Sequence, residues 1–179
     1  MIEIMSALID FLLALSSSAR TFAPGEFVFH QGDEVRAVHL FRAGAVNLVG
    51  HQAGGAPLVL QRAAAGSVLA EASIFSARYH CDAIAAAPSV THSVRKSTVR
   101  ARMAHSREFA EAWLAHLARE VQAARLRAEI LSLRTVAERL DAWIAAGGGR
   151  FPARGEWKIV AAEIGTSPEA LYRGMARRR

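Results

Sequence analysis

Lys158, Ser167, Glu169, Arg173 and Arg177 fall within the terminal stretch Trp157 to Arg179, and their types and spacing suit recognition of double-stranded DNA. Arg173 brings a guanidinium that can pair with guanine O6 and N7, and Glu169 a carboxylate that accepts from a cytosine amine. Lys158 and Ser167 suit phosphate oxygens. Glu169, Arg173 and Arg177 recur at four-residue spacing, whereas Leu171 and Met175 point to the other side of the same helix. Such a helix buries one side and leaves the other free to enter a groove.

Two helices must present these residues. Ala161, Gly165 and Leu171 stand where a helix-turn-helix needs a small residue for close approach, a turn glycine and an apolar anchor. Gly165 can adopt the left-handed conformation that ends the first helix. Ser167 is then the N-cap of the second and Pro168 its first residue. Gly174 runs against this pattern, since a glycine inside a helix costs about 1 kcal/mol relative to alanine. The plainer reading of the same residues is a basic, solvated helix in an ordinary helical domain.

The chain has 179 residues, a net charge of +6 and one cysteine. That length holds one sizeable core and a small appended domain. Arginine carries most of the positive charge and thickens toward the end of the sequence, which favours an anionic partner there. Cys81 cannot form an internal disulfide, which fits a reducing compartment, and the expected location is the cytoplasm. Ile4, Leu8, Phe11, Leu12 and Leu15 make the start apolar, but its first charges are Glu3 and Asp10 rather than the positive residues of a signal peptide. Their spacing predicts a short packing helix. No apolar run has the length of a membrane span, so no membrane partner is expected.

Between Thr21 and Val94 short apolar runs alternate with turn signals: Pro24-Gly25, Gly32-Asp33, Ala43-Gly44, Gly54-Gly55, Gly66 and Pro88. Phe27 to Phe29, Val38 to Phe41, Val46 to Val49 and Leu58 to Leu60 are predicted strands of an antiparallel β-roll. Ser67 to Phe75 lacks alternation and reads as a short helix carrying Glu71. From about Thr98 the sequence is continuously helical. Ala110, Leu114, Leu117, Val121, Ala124, Ala128 and Leu131 follow a heptad rhythm that suits a seam between two copies of the chain. Phe109, Trp113, Leu126 and Ile130 lie on another side of that helix and can pack on the roll; packing on the chain's own roll alone is the alternative to a homodimer. Gly147-Gly148-Gly149 precedes Phe151 and Pro152 and leads into the terminal motif. The expected fold is α+β: a sensory roll over 1–97, a dimerisation helix over 98–132 and a helix-turn-helix domain over 133–179.

This order resembles the Crp/Fnr family of bacterial transcription factors, the relatives of the cyclic AMP receptor protein and the fumarate-nitrate regulator. The marks are Gly25-Glu26 followed by Gln31-Gly32-Asp33, Gly44 before Val46 and Leu48, the pair Ala70-Glu71, the seam helix and the terminal motif. The resemblance implies a roll whose state reaches DNA-binding heads through the dimer helix. It also implies a palindromic DNA target, RNA polymerase as a further partner and an unidentified small-molecule effector. Glu169 and Arg173 match the family's base-contacting positions.

Two departures qualify it. Members that bind a cyclic nucleotide hold the ribose with a glycine-glutamate pair and the phosphate with an arginine followed by serine or threonine. Here Ala70 precedes Glu71, and Cys81-Asp82 stand at the phosphate position, where an aspartate adds repulsion. Cyclic AMP is therefore not the expected effector, with Arg78 the one displaced substitute for the missing cation. The family commonly continues into a wing, which is expected to be short or absent here, so that clamping of the DNA backbone is reduced or taken over by the tail Arg177-Arg178-Arg179. His80 and Cys81 are both residue types that ligate haem iron, but neighbours on a strand point to opposite faces, so a packed residue and an exposed one are favoured over a haem site. One cysteine cannot hold an iron-sulfur cluster, and the remaining histidines lack metal-ligand spacing.

No Gly-x-Ser-x-Gly elbow, phosphate loop or His-Glu-x-x-His occurs, so catalysis is not expected. The main rival to a sequence-specific DNA-binding regulator is a dimeric small-molecule or protein-binding module whose terminal domain has lost DNA affinity.

Overall fold

The computed structural model describes every residue except 1, 18, 52–56, 148, 150–154, 156 and 177–179, and residues 2–6 by their backbone alone. The turn expected at Gly54-Gly55, the linker residues Phe151 and Pro152, and Arg177 lie outside the described residues. The chain forms two compact units, Met1–Ala118 and Arg119–Arg179.

The first unit opens with helix α1 (Ile2–Leu15), followed by strands β1 (Arg20–Phe22), β2 (Phe27–Phe29), β3 (Ala37–Ala43), β4 (Ala45–His51), β5 (Pro57–Ala64), β6 (Val68–Leu69), β7 (Asp82–Ala85) and β8 (Ser89–Arg95). They pair antiparallel throughout in two four-stranded sheets, ordered β1-β8-β3-β6 and β2-β7-β4-β5. Side-chain alternation on β3 divides the core. Val38 and Leu40 join Leu8, Leu12, Val94, Phe109 and Trp113 on the helix-covered face. Phe41 joins Phe29, Val46, Leu48, Tyr79 and Cys81 inside the roll.

All four named runs lie within strands. The stretch Ser67 to Phe75 is not the expected helix: Val68 and Leu69 pair with Leu40 and His39, and only Glu71–Ser73 form a single 3-10 turn. Val68 and Leu69 are both buried, so completing the sheet outweighs helix formation. The turn from β3 to β4 depends on Gly44, whose φ is +88° and whose missing Cβ would stand 2.3 Å from the Pro88 carbonyl oxygen.

The helical region is also interrupted. Helix α2 (Lys96–His105) ends at Ser106, and α3 (Arg107–Ser132) runs from the first unit into the second. Ser106 is extended, and its hydroxyl accepts from the Phe109 amide at 3.2 Å, making it the N-cap of α3. Helix α4 (Val136–Ala146) starts with a capping box in which the Thr135 hydroxyl accepts from the Glu138 amide and the Glu138 carboxylate accepts from the Thr135 amide. Helices α5 (Trp157–Glu163) and α6 (Pro168–Ala176) complete the second unit. Its core gathers Ile130, Leu140, Val160, Ala161, Ile164, Leu171 and Met175.

Candidate nucleic-acid interface and roll cradle

The α5 and α6 helices meet through a short turn. The Gly165 backbone has φ +64°, and the Thr166 amide reaches back to the Ala161 carbonyl at 2.9 Å, closing α5. The Ser167 hydroxyl accepts from the Ala170 amide at 3.1 Å and so caps α6, with Pro168 as its first residue. Leu171 and Met175 are buried, while Glu169, Arg173 and Lys158 are exposed. Tyr172 shares the exposed face, its ring 4.6 Å from that of Trp157. Nothing in the local spacing marks that aromatic pair.

Glu169 is held ionised. Its own amide donates to its carboxylate and the Ser167 hydroxyl adds a second bond, and Arg173 and Lys158 add positive charge, so its titration lies below the ordinary glutamate range. The α6 surface thus carries an acceptor and a guanidinium side by side. That is the chemistry which distinguishes base edges in a major groove.

On α3, Leu114 is 62% exposed and Val121 48%, and Ala124 and Ala128 are exposed, with Leu131 at the margin. Leu117 departs from the seam: it packs against the core beside Trp113 and Phe109. Phe109, Trp113 and Ile130 are buried as their side of the helix requires, but Leu126 is 41% exposed. The heptad rhythm tolerates this because Leu117 lies at the edge between the two faces.

Inside the roll, Ala70 is the one non-glycine at positive φ among the described residues, at 68°. An L-residue there bears roughly 1–2 kcal/mol of strain, in the conformation that glycine adopts freely. Glu71 and Cys81 follow on the inner wall, both buried. Burial, then the charges of Glu71 and Asp82, push the Cys81 thiol up to about 11. His39, with its ring 5.6 Å from Phe29, is lowered to about 4 by burial and by Arg20, so it is neutral at physiological pH. His80 is exposed and its Nδ1 meets the Ser73 hydroxyl at 3.0 Å. Cys81 is thus buried while its neighbour His80 is exposed, so the two side chains lie in different surroundings.

Asp82 is occupied from within. Its Oδ1 accepts from the Gln31 amide at 2.7 Å, and its Oδ2 lies 2.7 Å from His51 Nε2. Burial would raise its titration, but these bonds and the neighbouring His51 and His30 outweigh that and hold it below the ordinary value of 3.8. His51 is far away in sequence and carries no local mark as its partner. Arg78 sits at the surface, donating to the Gly32 carbonyl at 2.6 Å. The structure therefore sets Cys81 within the influence of the Glu71 and Asp82 charges, turns Asp82 to Gln31 and His51, and leaves Arg78 on the loop. Among the described residues no group of three His, Cys, Asp or Glu side chains has metal-binding geometry, and no helix is long and apolar enough to cross a membrane.

Residues 19–106 match the cyclic nucleotide-binding domain family. Curated proteins gave no sequence match. Among solved structures, the chain is similar to the c-di-GMP responsive global regulator CLP of Xanthomonas campestris, with 16% identity over 97% of this chain and 91% of that one and a TM-score of 0.72. It is likewise similar to FixK2 of Bradyrhizobium japonicum, with 17% identity, coverages of 89% and 83% and a TM-score of 0.73. The catabolite activator protein of Thermus thermophilus shares 24% identity over 96% and 82% of the two chains, with a TM-score of 0.59. Similarity at these identities establishes the fold: residues 19–106 are a cyclic nucleotide-binding-type β-roll, within a chain whose fold is that of these regulators.

Proposed function

We propose that the chain is a homodimeric, sequence-specific DNA-binding transcriptional regulator of the Crp/Fnr type. The observation that carries this reading is the capped helix α6, with Leu171 and Met175 buried and Glu169 and Arg173 side by side on its exposed face. In this reading α5 and α6 form a helix-turn-helix within 133–179. Arg173 and Glu169 contact bases, and Lys158, Ser167 and Arg177 contact phosphates. Helix α3 pairs with its copy through Leu114, Val121, Ala124, Ala128 and Leu131, in place of one helix over 98–132, so that two heads meet a palindromic operator one DNA turn apart. RNA polymerase is the proposed further partner, and the cytoplasm the proposed location.

The roll over 1–97 is the sensor, and its effector is not cyclic AMP. The cradle offers a protonated Cys81, a neutral His39 and the carboxylates of Glu71 and Asp82, and none of these neutralises a phosphate. Haem is likewise not part of the proposal, and neither is catalysis.

The test is selection of bound fragments from a random duplex library by the purified chain and by Arg173→Ala, at two salt concentrations. An enriched palindrome lost in the variant supports the reading. Binding that ignores sequence and vanishes with salt contradicts it.

A further inference from the structure

The turn between α5 and α6 is held by a residue to which groove recognition gives no role. Arg139 lies on α4, one turn past the Thr135 cap, and is half-buried. Its Nε donates to the Leu133 carbonyl at 2.8 Å. Its Nη1 donates to the carbonyls of Ile164, at 3.2 Å, and Gly165, at 3.1 Å. Leu133 is the first residue beyond α3, and Ile164 and Gly165 are the turn itself. One guanidinium thus bridges the end of the seam helix and the start of the candidate recognition unit.

Two physical points make this a fixed joint. The carbonyls at the end of α5 have no helical N–H to satisfy them and carry the negative end of the helix dipole, so a cation with several donors is the matching group. A planar fork holds its donors at set angles, which a lysine ammonium does not. A second contact closes the same joint. Leu131, in the last turn of α3, puts Cδ2 only 2.7 Å from where a Cβ on Gly165 would stand, so the glycine admits the seam helix against the turn.

The geometry points to Arg139 as a positioning residue that fixes the recognition helix to the end of the seam helix, so that the seam sets the separation of the two heads in a dimer. This rests on the DNA-binding dimer proposed above. A residue that merely helps build the domain would affect all DNA binding alike. A joint controls the spacing between half-sites independently of the half-site sequence.

The experiment is selection from a duplex library containing all half-site spacings, using the full chain, Arg139→Met and Arg139→Lys, with folding and dimerisation checked by thermal melting and sedimentation. The wild-type chain is expected to enrich one half-site sequence at one spacing. Arg139→Met loses all three guanidinium hydrogen bonds and should enrich the same half-site at several neighbouring spacings, with affinity for the wild-type site down at least about tenfold. Arg139→Lys should fall between them and carries the comparison if the methionine variant does not fold. A folded, dimeric variant that keeps the single wild-type spacing overturns the inference, and so does one that loses the half-site sequence together with the spacing. A wild-type chain that selects no sequence removes the DNA-binding reading itself, and this inference with it.

Discussion

Replacing Asp82 with alanine removes one buried carboxylate that ties three segments together: β7, the Gln31 amide ahead of β3, and His51 at the end of β4. Asp82 is 7% exposed, and its bond to the Gln31 amide is charge-assisted, a type worth about 1.5–3 kcal/mol. Gln31 is exposed, so water partly replaces the lost acceptor and the low end of that range applies. The His51 side chain is 42% exposed, which limits its hydrogen bond with Asp82 to about 1 kcal/mol. Together the loss is about 2–3 kcal/mol, a fall of about 1 M in the urea midpoint if the slope is about 2 kcal/mol/M. Urea unfolding followed by circular dichroism measures it, with His51→Ala expected to cost about 1 kcal/mol. The difference between wild type and Asp82→Ala also depends on pH. The folded carboxyl titrates below its ordinary 3.8, so its stabilisation is fully present above that value and disappears as the pH falls through the depressed folded pKa. A midpoint shift under about 0.25 M, or a difference that grows on acidification below the ordinary value, would mean that Asp82 does not tie these segments together.

Three other substitutions probe α6, the turn before it and the seam. Gly174→Ala should stabilise the second unit by about 1 kcal/mol in thermal melting, because helix propensity improves and the new Cβ would stand 3.7 Å from Val136 Cγ1, an ordinary contact. Gly165→Ala should do the reverse and cost about 2 kcal/mol, since the backbone is at φ +64° and Leu131 occupies the Cβ position at 2.7 Å. A Leu114→Glu, Val121→Glu double variant should sediment as a monomer with its roll still folded, because both side chains are exposed and neither supports the core. A variant that remains dimeric places the interface elsewhere.

Features whose causes are local in sequence were the legible ones. Gly165, Ser167 and Pro168 each act on the backbone within a few residues, and the turn, cap and helix start lie where those residues put them. The four named strands lie where alternation and turn residues placed them. Other local signals were present and pass unnoticed in a heptad reading: Ser106 ahead of Glu108 and Phe109, and Thr135 three residues before Glu138, are the caps that break the long helix. The remainder had no local cause. His51 finds Asp82 across the sheet, Arg139 finds the α5–α6 turn, and Leu117 is drawn toward Trp113 by packing, not by its place in the heptad. Ala70 shows a further limit, because the strained backbone at a position where glycine is expected is visible only in the fold.

A hydroxyl-radical footprint of the purified chain on its selected duplex, with the Leu114→Glu, Val121→Glu variant alongside, shows whether two α6 helices read one operator from a dimer. Two protected patches on one face of the DNA, symmetric about a dyad and one turn (about 34 Å) apart, are expected, and they should vanish in the monomeric variant. A single patch, uniform protection along the duplex, or an unchanged footprint in a monomer would contradict recognition by a dimer.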